Sequence, residues 1–379
     1  MAVASGGLSV FSGLGGLDLG ARIAGLRMDL ATDQDEEALK LLKSATGIRC
    51  HLGGIDEALA GPLVKAWGTR GSPRCLIGGP PCTPFSHAGF WIEDKRAGED
   101  PAHSLLESYV DCLKVFKPDA FVLENVPGLV FKTHRRFLDS LVAKARRLRY
   151  HVATQVLRAS DFGVAQSRRR LFIVGLRDSQ RVDLSTWSEW PTRSSEWAIG
   201  DLEHEGIAEP DEQPGAKYRE LLQKVPPGKN YLHFTHKHGW TPPEFKYRGR
   251  YWSFLLKLDP SQPAPTIPAQ RITYNGPFHW TSRHLRVQEL ARLQSLPDWY
   301  GLSSDLPTAR RHIGNAVPPL MAAAVIWRVR QALGDAPKDT LPAALDKATD
   351  STASFANITS LYPRVRSSQE RTPSSSIQR

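Results

Sequence analysis

The sequence predicts an α/β fold, and two features of its first half carry that prediction. Short apolar runs alternate with segments of helical periodicity, which is the pattern of strands and helices in one sheet-based domain. Glycines and prolines stand at the joints, as at Gly53-Gly54 and Lys117-Pro118. With 379 residues and 41% apolar content, the chain can bury a sizeable core and hold two domains.

The elements follow from these patterns in chain order. Strands are expected at the short apolar runs Leu8–Phe11, Met28–Ala31, Cys75–Ile77, Ala120–Leu123, His151–Leu157 and Leu171–Leu176. Helices are expected where apolar residues recur at helical spacing, at Leu17–Ala24, Glu36–Ser44, Ile55–Ala66, Ser104–Phe116 and Arg136–Leu148.

The rhythm breaks after Asp178. Residues 180–259 are rich in Trp, Pro, Gly, His, Lys and Arg and show little helical periodicity. Order returns with a basic amphipathic helix at Arg286–Leu296 and a long apolar helix at Ala316–Leu333, which we expect to pack on the first sheet. From residue 335 onward Ser, Thr, Pro and charge dominate, which predicts a disordered tail.

Charge and cysteine content narrow the class of protein. The net charge of +10 and pI near 9.5 favour a polyanionic partner, although ribosomal and membrane-surface proteins share this bias. No run has the length of a membrane span, and the N-terminus lacks a secretory signal. Four cysteines without paired spacing suit the reducing cytoplasm. The histidines of His233–His238 lack cysteine or acidic neighbours, so we expect polar surface or DNA contact there and no metal.

One loop has the composition of a reactive site. The run GGPPCTPFS at 78–86 follows an apolar strand, and two glycines and two prolines shape the backbone directly before Cys82. A thiol on a stiff loop at a strand end lies where open α/β sheets place their ligands. Because free cysteine is among the most buried residue types, a tight turn around a small buried residue is the alternative.

Four further segments accompany this loop. They are FSGLGG at 11–16, ENV at 124–126, QSRRR at 166–170 and HIGNAVP at 312–318. In order and spacing the five segments resemble the DNA (cytosine-5) methyltransferases from about Ser9 to Leu320, leaving out only the variable middle and the tail. The resemblance implies methyl transfer from S-adenosylmethionine to carbon 5 of cytosine at a specific site in double-stranded DNA, through a covalent cysteine adduct and base flipping.

The same resemblance implies a domain plan. It is a Rossmann-like S-adenosylmethionine-dependent methyltransferase fold with a second, smaller irregular target-recognition domain. We expect the cofactor-binding and catalytic domain at 1–177 plus 308–334, the target-recognition domain and hinge at 178–307, and the tail at 335–379. In the middle region, the run Lys246–Trp252 interleaves cations with aromatics, which suits phosphates and base edges. A small core made by those aromatics is an alternative that is compatible with DNA contact.

The glycine-rich segment is the first cofactor candidate. Gly13, Gly15 and Gly16 follow a strand and open a helix, so backbone amides can approach a ligand, although this spacing alone also fits a dinucleotide enzyme. The resemblance implies S-adenosylmethionine, with Phe11 near the adenine. Asp33 ends the second strand and is placed to accept hydrogen bonds from ribose hydroxyls, with a helix N-cap as its alternative role.

Three more cofactor contacts are implied by the resemblance. Ile55 is expected beside the adenine, although Gly54 stands where the family commonly has an acid. Pro81 belongs to the cysteine loop, and Asn315 resembles the asparagine that closes the cofactor pocket and supports that loop. Helix capping is the alternative for Asn315.

Four residues are expected to carry the chemistry. Cys82 is the nucleophile, and because a free thiol titrates at about 8.5 its site must favour the thiolate. Glu124 is expected to protonate ring nitrogen 3 and hold the Watson–Crick edge, with a surface salt bridge as the alternative. Arg168 and Arg170 alternate onto one face, where the family implies contact with the substrate carbonyl and a phosphate. Thr83 replaces a frequent glutamine of the family.

Other functions remain open at this point. The same chemistry on tRNA is one, although the broad irregular middle favours duplex DNA. A non-catalytic DNA-binding regulator is another, and the presence of all four chemical residues argues against it. A nicotinamide oxidoreductase fits only the glycine loop taken alone. The compact layout favours a prokaryotic or phage monomer that acts alone or beside a restriction endonuclease, without a stable complex and away from membranes.

Overall fold

The computed structural model describes residues 6–55, 61–68, 73–81, 101–178, 182–185, 187, 190–203, 212–337 and 340–364, with the backbone alone at 101–103 and 250. Its centre is a seven-stranded sheet. The strands are β1 (Gly7–Val10), β2 (Met28–Asp33), β3 (Arg49–Leu52), β4 (Cys75–Gly78), β5 (Ala120–Asn125), β6 (Tyr150–Arg158) and β7 (Arg169–Arg177). The α/β fold class predicted from the sequence is confirmed.

Sheet topology decides which strand ends meet. The order is β3-β2-β1-β4-β5-β7-β6, in which β1 to β5 pair in parallel and β7 runs antiparallel to both neighbours. The carboxyl ends of β1, β2, β4 and β5 therefore lie at the same edge as the beginning of β7. The glycine segment, the cysteine loop, ENV and QSRRR all adjoin this edge.

Helices cover both faces of the sheet. They are α1 (Gly16–Ile23), α2 (Glu36–Thr46), α3 (Pro62–Trp67), α4 (Pro101–Phe116), α5 (Arg135–Arg147), α6 (Ser195–Ile199), α7 (Arg219–Lys224), α8 (Val287–Leu293), α9 (Leu306–Asn315), α10 (Pro319–Ala332), α11 (Ala343–Thr349) and α12 (Phe355–Thr359). Successive side chains of a strand point to opposite faces of the sheet, so each strand contributes to two hydrophobic cores. Ile77 packs in the core with α1 and α10, whereas Leu76 packs in the core with α4 and α5. As expected from its apolar sequence, α10 packs against this sheet-bound core.

The sequence analysis missed strand β3 and helices α6, α7, α9, α11 and α12. Strand β3 has partly exposed or exposed residues along its whole length at the edge of the sheet, so it lacks the apolar run of an inner strand. Helix α9 contains three charged or histidine residues, Arg310, Arg311 and His312, and its N-cap Asp305 accepts a hydrogen bond from Thr308 N. Of the predicted helix Ile55–Ala66, residues 56–60 lie outside the described part of the chain.

The middle region contains a small core of its own. Leu222, Val225, Tyr231, Phe234, Leu255 and Phe278 form it. The segments on either side belong to the main core instead, through Ile199 and Leu202 before it and Leu285 and Leu290 after it. The separate core is thus narrower than the predicted domain at 178–307, whose boundaries stay a prediction.

The expected disorder after residue 335 is wrong for residues 340–364. Helices α11 and α12 pack against the main core, and Arg193 donates hydrogen bonds to the carbonyls of Ser351 and Asp350. Trp197 donates to the Ala353 carbonyl at 2.8 Å and meets the Phe355 ring edge-on. The few apolar residues of α11 and α12 are enough to hold these helices in place, because segments earlier in the chain provide the surface on which they pack. None of the described helices is long and apolar enough to cross a membrane.

Candidate active site

The glycine segment forms a tight turn over the end of β1. Phe11 has a φ of 53°, a left-handed conformation that is rare for a bulky residue and typical of functional loops. A Cβ built on Gly16 would lie 2.1 Å from the Val317 carbonyl oxygen, so HIGNAVP packs directly on this turn. At Gly13, by contrast, a Cβ would meet no described atom within 4 Å. The backbone at Gly13 is therefore open to an approaching ligand.

Asp33 stabilises this turn from the neighbouring strand. Its Oδ2 accepts a hydrogen bond from Gly13 N at 2.7 Å, and its Oδ1 accepts one from Asp35 N at 2.9 Å. The N-cap of α2 is Asp35, so the capping alternative for Asp33 is wrong. Each carboxylate oxygen has a second lone pair, which leaves Asp33 able to accept from a ligand as well.

Beneath the turn lies an acid that the sequence analysis missed. Asp18 is fully buried in the first turn of α1, and its Oδ2 accepts from Ser9 Oγ at 3.0 Å. Ser12 Oγ lies 2.9 Å from Ser9 Oγ, which connects Asp18 to the glycine segment. Burial raises the pKa of Asp18 to about 7, against the opposing hydrogen bond from Ser9. Sequence alone presents Asp18 as an ordinary acid favoured by the helix dipole.

The predicted adenine contacts share one core. Phe11 is half-buried against the cluster that contains Ile55, which is itself 5% exposed. Their placement beside a bound adenine stays a prediction.

The entry to the cysteine loop is fixed by the ENV segment. Asn125 Nδ2 donates to the Pro80 carbonyl at 3.2 Å, and a Cβ built on Gly79 would lie 3.1 Å from Glu124 Oε2. Pro81 is exposed at the last described position before a gap. Cys82 and Thr83 lie outside the described residues.

Glu124 is a buried acid at the end of β5. Its side chain is 9% exposed, and Arg170 Nε lies 2.8 Å from its Oε1. Burial raises the pKa of Glu124, and the charges of Arg170 and Arg168 lower it in part. The alternative of a surface salt bridge is wrong, because this ion pair is buried. A carboxyl with a raised pKa beside the cysteine loop is suited to holding and delivering a proton.

The two predicted arginines differ in their surroundings. Arg170 reaches Glu124, whereas Arg168 is 1% exposed and donates to the Gly314 carbonyl at 2.7 Å. Arg168 thus contacts HIGNAVP, and its direct contact with substrate stays a prediction. Next to it, Gln166 Nε2 donates to Gln294 Oε1 at 2.7 Å.

Asn315 is the last residue of α9 and is exposed. The C-cap of α9 is Ala316 and the N-cap of α10 is Pro318, so the capping alternative for Asn315 is wrong. Its neighbour His312 is buried, with Nε2 3.1 Å from Asp35 Oδ2. Burial opposes ionisation of Asp35, yet hydrogen bonds from Arg311, Ala38 N and His312 lower its pKa to about 2. This pair joins α9 to the N-cap of α2.

No cluster of three or more His, Cys, Asp or Glu side chains suited to a metal occurs among the described residues. The described part of the site consists of the glycine turn, the carboxylates of Asp33 and Asp18 that support it, the start of the cysteine loop and the Glu124–Arg170 ion pair. All adjoin one sheet edge.

Comparison with known proteins agrees with this geometry. Type II methyltransferase M.SacI of Streptomyces achromogenes is 37% identical over 377 residues, covering 88% of this chain and 95% of that protein. Type II methyltransferase M.AplI of Arthrospira platensis is 29% identical, covering 87% of each. Among solved structures, S. pombe Dnmt2 methyltransferase aligns with a TM-score of 0.58 at 14% identity, covering 86% of this chain and 98% of that one.

The family described as C-5 cytosine-specific DNA methylase matches residues 6–331 of the 379 residues. That range includes all five segments singled out in the sequence, and the fold is the Rossmann-like one of methyltransferases that use S-adenosylmethionine. The chain belongs to the C-5 cytosine-specific DNA methylase family and is a DNA (cytosine-5) methyltransferase.

Proposed function

We propose that this enzyme methylates carbon 5 of cytosine at one specific site in double-stranded DNA, with Cys82 as a covalent nucleophile acting on an extruded base. The observation that supports this most is the buried Glu124–Arg170 pair at 2.8 Å, beside the start of the loop that carries Cys82. A protonatable acid and a cysteine thiol are the two groups that this reaction needs.

Carbon 5 of cytosine is a poor nucleophile because the ring is aromatic. Addition of the Cys82 thiolate to carbon 6 forms a carbon–sulfur bond and moves an electron pair toward carbon 5. Protonation of ring nitrogen 3 by Glu124 favours that addition, and burial, which raises the pKa of Glu124, favours the protonated acid that can supply this proton. After carbon 5 has been methylated, its proton passes to water, the carbon–sulfur bond breaks to release the Cys82 thiolate, and ring nitrogen 3 returns its proton to Glu124, which restores the aromatic ring.

The glycine turn fits S-adenosylmethionine, which supplies the methyl group when bound. Open space at Gly13 lets the ligand approach the backbone, and the free lone pairs of Asp33 suit ribose hydroxyls. Phe11, Gly15, Gly16, Ile55, Pro81 and Asn315 complete the proposed cofactor site. Gly15 and Gly16 act through packing, because side chains there would collide with Leu42 and Val317.

Arg170 holds Glu124 in place and balances its charge after proton transfer. Arg168 has a positioning role through the Gly314 carbonyl. The relatives' type II naming favours a role in a restriction-modification system, with a cognate endonuclease that shares the site without a stable complex. We further propose that the enzyme is monomeric and cytoplasmic, and that residues 178–307 form the target-recognition domain and hinge.

The test is transfer of labelled methyl from S-adenosylmethionine to duplex DNA, with tRNA as a parallel substrate. Label at carbon 5 of duplex cytosine is expected, and Cys82→Ala should abolish it. Trapping with duplex that contains 5-fluorocytosine should give a covalent complex only when Cys82 is present. Label on tRNA alone would move the substrate to RNA. Binding of duplex without any transfer would leave a DNA-binding regulator.

A further inference from the structure

The aromatics of the middle region divide into two sets. Phe245 and Phe254 pack against Tyr231 at centroid distances of 5.8 and 5.7 Å, inside the small core. Between them in sequence, Tyr247, Tyr251 and Trp252 are 51%, 43% and 53% exposed. The core therefore accounts for the first set and leaves the second on the surface.

The exposed set lies on a loop that is fixed at both ends. We name residues 247–252 the aromatic loop. Arg248 N donates to the hydroxyl oxygen of the buried Tyr231 at 2.9 Å, and Asn230 Nδ2 donates to the Trp252 carbonyl at 2.6 Å. The fold thus holds large apolar rings in water, at a free-energy cost that burial elsewhere would avoid. Rigid presentation of this kind lowers the ordering cost of binding.

Charge around the loop identifies its partner. Residues 228–252 contain five Lys or Arg and one acid, Glu244. Lys237 Nζ lies 4.3 Å from the centroid of the Tyr247 ring, so a cation and an aromatic face form one surface. Cations that contact phosphates, beside rings that contact sugars and bases, match a nucleic acid and not an acidic protein.

We propose that the aromatic loop is a DNA-contacting, specificity-determining surface of this enzyme, with Trp252 and Tyr247 against bases or sugars and Arg248 on a phosphate. This inference rests on the proposed function for its choice of duplex DNA. It assigns the aromatics of the small core a structural role alone.

The test measures duplex binding by fluorescence anisotropy at several salt concentrations. Trp252→Ala is expected to weaken binding roughly 10-fold or more with little change in the salt slope, and Trp252→Phe should restore most of it. Arg248→Gln should instead lower the slope of log Kd against log salt by about 1. The control is Leu361→Ala, at another exposed apolar residue (44%), which should leave binding unchanged. Melting temperature and S-adenosylmethionine affinity should stay constant throughout.

Unchanged duplex affinity in both Trp252→Ala and Arg248→Gln would overturn the inference, even if the wild-type enzyme methylates DNA. Preference of the loop for tRNA over duplex would overturn it as well. Conversely, Trp252-dependent duplex binding by a protein that transfers no methyl would support the surface and reject the proposed reaction. Measuring duplex binding and methyl transfer separately therefore distinguishes failure of the proposed DNA-contacting surface from failure of the proposed reaction.

Discussion

Replacing Asp18 by Asn should change how the stability of the protein depends on pH. Burial raises the pKa of Asp18 from 3.8 to about 7, so between these values the folded state holds a proton that the unfolded state has lost. The free energy of unfolding is then highest below about pH 4 and falls as the pH rises through 7. In Asp18→Asn this contribution is absent, while the amide oxygen still accepts from Ser9.

The magnitude follows from the two pKa values. A difference of about 3 in pKa corresponds to ~4 kcal/mol in total, of which roughly 3 kcal/mol falls between pH 5 and pH 8. If all 379 residues unfold together, the unfolding entropy is about 0.8 kcal/mol per degree. The melting temperature of the wild type should therefore fall by ~3 °C relative to Asp18→Asn over this range.

The assay is thermal unfolding of both proteins in matched buffers from pH 5 to pH 8. A control is Asp35→Asn, because hydrogen bonds lower the pKa of Asp35 to about 2, net of the opposing effect of burial. Its stabilising contribution is lost only as the pH falls through about 4 toward 2, so its difference from wild type should be constant across the assay. Parallel curves for wild type and Asp18→Asn would refute the buried-acid reasoning.

Three further predictions concern other parts of the fold. Glu124→Gln should lower kcat by ~10²–10⁴ with little loss of duplex binding, since the amide cannot supply the proton; single-turnover methylation measures this, and full activity would contradict the role. Gly16→Ala places a methyl group 2.1 Å from the Val317 carbonyl oxygen, so it should lower the free energy of unfolding by ~1–3 kcal/mol and weaken S-adenosylmethionine binding, both measured by calorimetry. The control is Gly301→Ala, whose methyl group meets no described atom within 4 Å and should change neither quantity. Phe355→Ala should destabilise the protein by ~3–5 kcal/mol in urea unfolding, and a neutral result would show that the C-terminal helices add no stability.

The inner sheet was predictable because its strands are buried and apolar. Strand β3 lacks that pattern, and helix α9 has a polar sequence whose buried face depends on partners elsewhere. The C-terminal helices were missed for a similar reason: Phe355 and Tyr362 find their packing surface in segments far back in the chain. Local sequence holds no record of such partners.

At the site, the sequence predicted which segments lie at the sheet edge, but it did not predict the separate role of each side chain. Alternation predicted Arg168 and Arg170 on one face, but only the distances separate a residue that bonds Gly314 from one that pairs with Glu124. Asp18 gave no signal because its significance comes from burial and from Ser9. Electrostatic roles of this kind arise from three-dimensional surroundings.

The contacts between distant segments explain why three of the five motifs, FSGLGG, QSRRR and HIGNAVP, must occur together. Gly16 needs the Val317 backbone against it, Arg168 needs the Gly314 carbonyl, and Gln294 donates to the Ala316 carbonyl at 2.5 Å while accepting from Gln166. HIGNAVP is thus the element on which the glycine turn and the QSRRR segment both rest. A change in its backbone should disturb cofactor binding and catalysis at once, even though most of its side chains contact protein.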